Sequence, residues 1–238
     1  MITLYAADSP NVIKIYLALE EMELPYRVIP IDVMAGAAQF EPAFMRLNPN
    51  AKVPVITDDD GLDGHSQTIF ESGAILLYLA DKTGRFLPRG AAARYEAIQW
   101  LMMQMSSIGP MFGQFMHFFR YAPPGNDYAL SRYRTQVRRI LDVLERRLGE
   151  AEWLGGNDYS IADIASFPWA RPLGMVFGPG TEADYPKLMR WVARIAARPA
   201  AERALAAALE IADRTTSPGN AAPEALDRVF GRGAYAHA

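Results

Sequence analysis

Apolar and polar positions in the first third of the chain follow the spacing of strands and helices in turn. Residues 2–6 form a short apolar run typical of a strand, and residues 11–22 carry apolar side chains at helical spacing. A second strand is predicted over 26–31, because Pro25 ends the helix before it. The chain is therefore expected to open as a strand–helix–strand unit, with parallel strands joined by a right-handed crossover.

Strand signals stop before the middle of the chain. Short strands are predicted over 53–56 and 67–70, and a helix over 72–82 follows them. Beyond residue 92 the apolar patterns have helical spacing, and the clearest amphipathic helix spans 128–148. The pattern thus predicts an α/β N-terminal domain and an all-α C-terminal domain.

Composition places the boundaries between these parts. The α/β domain is expected to span 1–84, and the Pro- and Gly-containing stretch 85–92 is predicted to be a linker. The helical domain is predicted to span 93–214. The remainder, 215–238, is rich in Gly, Pro and Ala and is predicted to be a C-terminal tail that either docks on the body or stays mobile.

Charge and hydropathy argue against several kinds of partner. Half of the 238 residues are hydrophobic, and the net charge of −3 gives no electrostatic reason to expect nucleic acid or an anionic membrane as partner. The N-terminus lacks the basic and apolar regions of a signal peptide, and the apolar stretch 73–80 is too short to span a bilayer. We therefore expect a cytoplasmic location.

The chain contains no cysteine, which excludes disulfides, thiolate metal sites and a cysteine nucleophile. Its histidines, His65, His117 and His237, are far apart in sequence and lack metal-ligand spacing, so no metal is expected. If sulfur chemistry occurs here, the ligand must bring the sulfur.

Val53-Pro54 is the first of three local signals, because a proline in a strand removes a ladder donor. An X–Pro bond can be cis at modest cost. A cis bond would turn the Val53 backbone outward, where its N–H and C=O could pair with an extended ligand. The alternative is an ordinary edge strand with a trans proline.

Glu71-Ser72-Gly73 stands where a helix is predicted to begin. Free N–H groups and the positive dipole end favour a carboxylate there, the Ser72 hydroxyl adds a donor, and Glu71 offers an acceptor to an ammonium group. An amino-acid head group fits both residues. The alternative is that Ser72 only caps its helix.

Ser9-Pro10-Asn11 marks another strand-to-helix junction. Ser9 could be a helix cap and nothing more. Alternatively, the Ser9 hydroxyl and Asn11 point at a ligand sulfur, where hydrogen bonds and the helix N-terminus would lower the pKa of a thiol. Taken with the missing cysteine, the three signals point to glutathione as the ligand.

In their order and spacing these motifs resemble the cytosolic glutathione transferases. Within that family the chain is similar to the bacterial nu class, whose relatives include the glutathione-transferase-like domain of the yeast nitrogen-catabolite prion regulator. The resemblance covers the chain to about residue 214 and implies a thioredoxin-like N-terminal domain. The stretches that carry it are Ser9-Pro10-Asn11, Asn48-Pro49-Asn50-Ala51-Lys52-Val53-Pro54, Phe70-Glu71-Ser72-Gly73-Ala74-Ile75, Trp153-Leu154-Gly155-Gly156 and Tyr159-Ser160-Ile161-Ala162-Asp163.

The resemblance implies a role for each residue of these motifs. Val53, before a cis-Pro54, would pair with the cysteinyl backbone of glutathione. Glu71 and Ser72 would hold the γ-glutamyl end, and Lys52 would lie near the glycyl carboxylate.

The sulfur would be addressed by Ser9 and Asn11, which are the implied catalytic residues, and Gln39 and Arg132 are implied as further glutathione contacts. The nu class often has Thr where this chain has Ser9, and Gly where it has Val12. Serine keeps the hydroxyl, whereas Val12 adds bulk at the helix start and could shift the sulfur slightly.

Two kinds of function remain open at this point. The first is a glutathione-dependent enzyme: the nu-class resemblance favours reduction of disulfides by bound glutathione, with conjugation of an electrophile or peroxidase activity beside it. The second is a non-catalytic glutathione-binding or regulatory protein of the same fold. The resemblance also implies a homodimer. Tyr5, which lies within the first predicted strand, is not expected to be catalytic.

Overall fold

The computed structural model describes residues 1–35, 37–178 and 180–236, and packing divides the chain into two units. The first unit combines Met1–Lys82 with the C-terminal segment from Pro199 onward, and the second is Thr83–Arg198. The bounds 1–84 for the α/β domain, 85–92 for the linker, 93–214 for the helical domain and 215–238 for the tail stay predictions. By packing, the helix after residue 198 belongs with the first unit.

A four-stranded mixed sheet forms the centre of the first unit. Its strand order is β2-β1-β3-β4. β1 and β2 are parallel, as the strand–helix–strand pattern predicts, and β3 is antiparallel to both of its neighbours. The strands are β1 (Ile2–Ala6), β2 (Tyr26–Pro30), β3 (Val55–Asp58) and β4 (Gln67–Phe70).

The strand register brings four loops to one end of this sheet. Ala6 pairs with Pro30, so β1 and β2 end side by side. Val55, the first residue of β3, pairs with Tyr5 on one side and Phe70 on the other. The loops that follow β1, β2 and β4 therefore meet the loop that precedes β3.

β3 begins two residues later than predicted. The sequence places a strand over 53–56, whereas the structure starts it at Val55. Pro54 has no N–H to donate to a ladder, so the pairing ends there. The Val53–Pro54 peptide is cis, which confirms that expectation and rules out the trans alternative.

The helices predicted over 11–22, 72–82 and 128–148 agree with the structure to within two residues. Others, one of them in the predicted tail, complete the set of described helices. Their bounds are α1 (Pro10–Met22), α2 (Pro42–Met45), α3 (Ser72–Thr83), α4 (Ala91–Met103), α5 (Gly109–Arg120), α6 (Asp127–Glu150), α7 (Ile161–Ala170), α8 (Leu173–Phe177), α9 (Thr181–Asp184), α10 (Pro186–Ala196), α11 (Pro199–Asp213) and α12 (Pro223–Phe230). A 3₁₀ turn forms at Ala38–Phe40 and another at Gly233–Tyr235, and a π-helical turn joins α4 to α5 over Gln104–Ile108.

Helix α1 is buried along most of its length in the first unit. Its side chains from Val12 to Leu19 are all buried, including that of Lys14. It packs against α11, whose buried face consists largely of alanines that permit close approach. An ion pair between Arg203 and Glu20 joins the two helices at 2.6 Å.

The described part of the C-terminal tail docks on the loop that follows β2. The Thr216 hydroxyl donates to the Asp32 carboxylate at 2.8 Å, and the Arg228 guanidinium lies 5.2 Å from the centre of the Phe40 ring. Of the two alternatives left open by composition, the structure favours docking for residues 215–236.

The second unit consists of helices packed around α7, whose side chains are almost all buried. Ser160 and Asp163 form a capping box at its start. The fully buried Asp163 carboxylate also accepts from the Leu154 N–H and from the Trp191 indole N–H, both at 2.8 Å. One carboxylate thus connects α7, α10 and the loop before α7.

Phe112 and Phe115 on α5 belong to the core of this unit, since they are 4% and 1% exposed. Phe115 stacks on Phe119 and Phe177, and Phe119 is itself exposed. Among the described residues, no helix is both long and apolar enough to cross a membrane.

Removing the Asp163 carboxylate should destabilise the protein strongly. The substitution Asp163→Ala leaves buried N–H and O–H donors without their acceptor, so we expect the free energy of unfolding to fall by at least about 3 kcal/mol. Urea denaturation followed by circular dichroism measures this loss. Asp158→Ala, at an exposed carboxylate of the same loop, should change it by less than about 0.5 kcal/mol; equal losses would contradict the assignment.

Candidate functional site

A small cavity opens at the end of the sheet where the four loops meet. Six of the nine predicted site residues line it, and Asn48 is the one lining residue that was not predicted. The lining residues are Asn11, Asn48, Lys52, Val53, Pro54, Glu71 and Ser72. Its volume is 60 Å³, so it can take one end of a peptide while the rest of the ligand extends over the surface.

Val53 presents a stretch of backbone that the sheet does not use. It lies before β3, and in the described part of the chain neither its N–H nor its C=O takes part in a main-chain hydrogen bond. An extended ligand could therefore pair with it as an added strand. The side chain is half-buried, and Lys52 beside it is exposed.

Asn48 holds this stretch in place. Its side chain is 2% exposed, donates from Nδ2 to the Lys52 C=O at 2.7 Å and accepts at Oδ1 from the Asn50 N–H at 2.9 Å. The sequence predicts only a turn at Asn48-Pro49-Asn50. A buried asparagine that satisfies a loop from inside cannot be told from an ordinary turn asparagine without the fold.

Glu71 and Ser72 form the opposite side of the cavity. Glu71 is exposed and adopts a left-handed backbone conformation, with φ of 69°, which is costly for a residue other than glycine. Ser72, 6% exposed, is the first residue of α3. An anion-accepting helix N-terminus and a carboxylate acceptor for a cation thus stand side by side.

A buried lysine lies directly behind Ser72. Lys14 of α1 is 1% exposed, and its Nζ donates to Ser72 Oγ at 3.2 Å. Burial lowers the pKa of this lysine to about 7, although the Glu71 carboxylate raises it. Sequence reasoning missed Lys14, yet a single charge in the apolar run VIKIYLAL was a visible signal.

Ser9 is the N-cap of α1, as the simpler of its two interpretations predicts. Its Oγ accepts from the Asn11 N–H at 3.2 Å. A hydroxyl that accepts one hydrogen bond still carries its own hydrogen, so capping does not exclude donation to a ligand sulfur. Asn11 lines the cavity. Ser9, two residues earlier in the sequence, is half-buried.

Gln39 and Arg132 are not among the residues that line the cavity. Gln39 lies in the 3₁₀ turn after β2 and is 5% exposed, and its Oε1 has no hydrogen-bond partner in the residues described. Arg132 is exposed on α6 in the second unit. For both, the predicted contact with the ligand stays a prediction.

The chemistry of the cavity suits a short zwitterionic peptide. The Val53 backbone can bind an extended chain, and Glu71 can accept from an ammonium group. The N-terminus of α3 and the exposed Lys52 can each bind a carboxylate. Within the described ranges, no group of three or more His, Asp or Glu side chains could hold a metal ion; His237 lies outside them.

Comparison with known proteins agrees with this geometry. The model of the glutathione S-transferase N-terminal domain matches residues 8–82, and that of the C-terminal domain matches 98–199. The disulfide-bond oxidoreductase YfcG of Escherichia coli (strain K12) is 47% identical over 206 residues, which cover 86% of this chain and 94% of that protein.

Two solved structures have the same fold. A glutathione transferase family member from Pseudomonas fluorescens pf-5, with two glutathione bound, has a TM-score of 0.81 at 44% identity, covering 86% of this chain and 92% of its own. A glutathione transferase from Pseudomonas putida, with one glutathione disulfide bound per subunit, has a TM-score of 0.80 at 38% identity, with coverage of 86% and 90%. The chain therefore belongs to the glutathione S-transferase family.

Proposed function

We propose that this protein is a glutathione-dependent disulfide reductase in which bound glutathione supplies the reacting thiolate. The observation that carries the proposal is a cavity lined by Val53, Glu71 and Ser72, whose polar groups suit a short zwitterionic peptide, in a chain without any cysteine. The name of the relative YfcG and the glutathione found in the neighbouring structures support it.

Glutathione would bind with its cysteinyl backbone against Val53 and its γ-glutamyl end between Glu71 and Ser72. Lys52 would face the glycyl carboxylate, and Gln39 and Arg132 would add contacts. The sulfur would then lie at the N-terminus of α1, near Ser9 and Asn11. Donors and the helix dipole at that point favour the thiolate over the thiol, which raises the concentration of the nucleophile at neutral pH.

The reaction proceeds by two thiol–disulfide exchanges. The bound thiolate attacks one sulfur of the substrate disulfide, the S–S bond breaks, and the leaving thiolate takes up a proton. A second glutathione then attacks the mixed disulfide, which releases the second substrate thiol and glutathione disulfide. Two glutathione thiols are oxidised and one substrate disulfide is reduced, so no protein thiol is needed.

We further propose that the chain belongs to the nu class, acts in the cytoplasm and forms a homodimer. The supporting observations are the motif pattern at residues 9–11, 48–54 and 70–75 and the YfcG relationship. A small electrophile is the alternative second substrate, because the same thiolate can attack a carbon centre.

A paired assay separates these reactions. With glutathione, we expect turnover of 2-hydroxyethyl disulfide to exceed conjugation of 1-chloro-2,4-dinitrobenzene by at least about tenfold, because disulfide exchange needs only the bound thiolate and a second glutathione. Both rates are followed spectrophotometrically. Conjugation as the faster reaction would contradict the proposal, and glutathione binding without either activity would favour a regulatory protein.

Asn11→Ala should lower turnover more than glutathione affinity. Losing one hydrogen bond to the thiolate raises the pKa of the bound thiol, and each unit lowers the thiolate fraction at neutral pH by about tenfold. Steady-state kinetics gives the turnover, and calorimetry gives the affinity. Ser9→Ala should act in the same direction, and Tyr5→Phe should leave both quantities unchanged. Equal losses in turnover and affinity for Asn11→Ala would exclude its proposed role.

Glu71→Gln should weaken glutathione binding by roughly tenfold to hundredfold, because a charge-assisted hydrogen bond to the ligand ammonium is lost. Calorimetric titration with glutathione measures the change. Asp59→Asn is the matched control, since this exposed carboxylate follows β3 at the far end of the sheet. A loss no larger than that of the control would remove Glu71 from the site.

A further inference from the structure

Lys14 is a buried cation in a position where an apolar side chain would pack at lower cost. It is 1% exposed, and the neighbouring α1 side chains from Val12 to Leu19 are buried with it. Taking an ammonium group out of water costs several kcal/mol even after relaxation. Such a cost suggests that the charge has a function. The hydrogen bond that Lys14 Nζ donates to Ser72 Oγ, at 3.2 Å, connects the charge with a residue that lines the cavity.

We propose that Lys14 is a positioning residue for the γ-glutamyl carboxylate of glutathione, acting from beneath the site through the Ser72 hydroxyl. The inference rests on the proposed function, since it concerns the same ligand. Lys14 has no direct path to solvent at 1% exposure, so its effect must pass through Ser72, which lines the cavity.

Two physical effects combine in this arrangement. A serine hydroxyl has one hydrogen and two lone pairs, so accepting from Lys14 on the inner side turns the O–H toward other acceptors. The ammonium charge also adds to the positive end of α3, and in a poorly solvated setting such charges act more strongly than at the surface. Both effects favour a carboxylate over water at Ser72.

The charge on Lys14 responds to pH in the neutral range. Burial lowers its pKa to about 7, and the Glu71 carboxylate, just before α3, opposes this shift. The facing helix α11 brings Arg203 against Glu20, and the charges of Glu210 and Arg214 act on Tyr16. Of the charged groups named here, Glu71 is the one that raises the pKa of Lys14.

Ligand binding should therefore be coupled to proton uptake. A carboxylate at Ser72 stabilises the charged form of Lys14 and raises its pKa, so the complex holds a proton that part of the free protein lacks. The ligand ammonium would lie at exposed Glu71, in better-solvated surroundings, and opposes this less strongly. The affinity for glutathione should therefore fall as pH rises above about 7.

Calorimetric titration with S-methylglutathione tests the proposal, because this probe keeps both carboxylates and the ammonium group but has no thiol to titrate. Measurements at pH 6 to 9, in buffers of different ionisation enthalpy, give the protons taken up on binding. We expect uptake by the wild-type protein near pH 8 and a loss of affinity from pH 6.5 to pH 8.5. Lys14→Met should show no uptake and bind roughly tenfold to hundredfold more weakly at pH 6.5.

Two further variants separate charge from packing. Lys14→Arg keeps the charge at every pH, so its affinity should stay level between pH 6.5 and 8.5. Lys82→Met removes a lysine at the other end of α3, where it pairs with Asp58, and should keep the wild-type uptake. If the wild-type protein does not bind the probe, the proposed function fails. If it binds without proton uptake, only the role of Lys14 fails.

The melting temperature of Lys14→Met distinguishes the proposed role from a purely structural one. Replacing a purely structural lysine would lower the melting temperature, whereas we expect it to rise. Because the pKa of Lys14 in the folded protein lies below its unfolded value of 10.5, the cost of burying its charge is fully present below pH 7 and fades as pH rises toward 10.5. Lys14→Met should therefore raise the melting temperature of the ligand-free protein, most of all near pH 6. A fall in both melting temperature and affinity at pH 6 would overturn the proposal.

Discussion

The pairing of β3 at Val55 is the constraint on which the site depends. That residue is bonded between Tyr5 of β1 and Phe70 of β4, so the chain segments beyond all three strands must leave the sheet at the same end. Pro54 stops the ladder there, because it has no N–H, and leaves the backbone of Val53 outside the sheet. The starts of α1 and α3 then follow within a few residues, and their positive ends face the same space.

The absence of cysteine makes this geometry specific in its chemistry. A sheet end with two helix N-termini can lower the pKa of a thiol, but the protein has no thiol of its own to activate. The helix N-termini that would lower the pKa of a protein cysteine can therefore act only on a cysteine that the ligand brings. Under the proposed function, the peptide bound by Val53, Glu71 and Ser72 would also be the nucleophile, so the same residues would both bind and activate it.

The sequence predicts much of this because its strongest signals are local. Ser9 before Pro10 and the helical spacing of residues 11–22 depend on neighbours a few residues away. The helix that they predict appears in the structure as α1, with Ser9 as its N-cap. The strand at 53–56 was placed two residues too early, because apolar β-branched residues on both sides of Pro54 have the same strand propensity and only pairing decides the boundary.

What the sequence could not predict involves contacts between distant residues. Asn48 is recognisable as a turn residue, but its bonds to the Lys52 and Asn50 backbone depend on the folded loop. Lys14 meets Ser72 across 58 residues of sequence, and the packing of α11 on α1 joins the two ends of the first unit. Propensity and periodicity carry no information on such partners.

A crystal structure of the protein with bound glutathione tests the central claim most directly. We expect the cysteinyl backbone to be hydrogen-bonded to the N–H and C=O of Val53, and the γ-glutamyl carboxylate to lie at Ser72 with its ammonium group at Glu71. We expect the sulfur within hydrogen-bond distance of Ser9 or Asn11. Glutathione bound elsewhere, or bound here with its sulfur turned away from the start of α1, would contradict it.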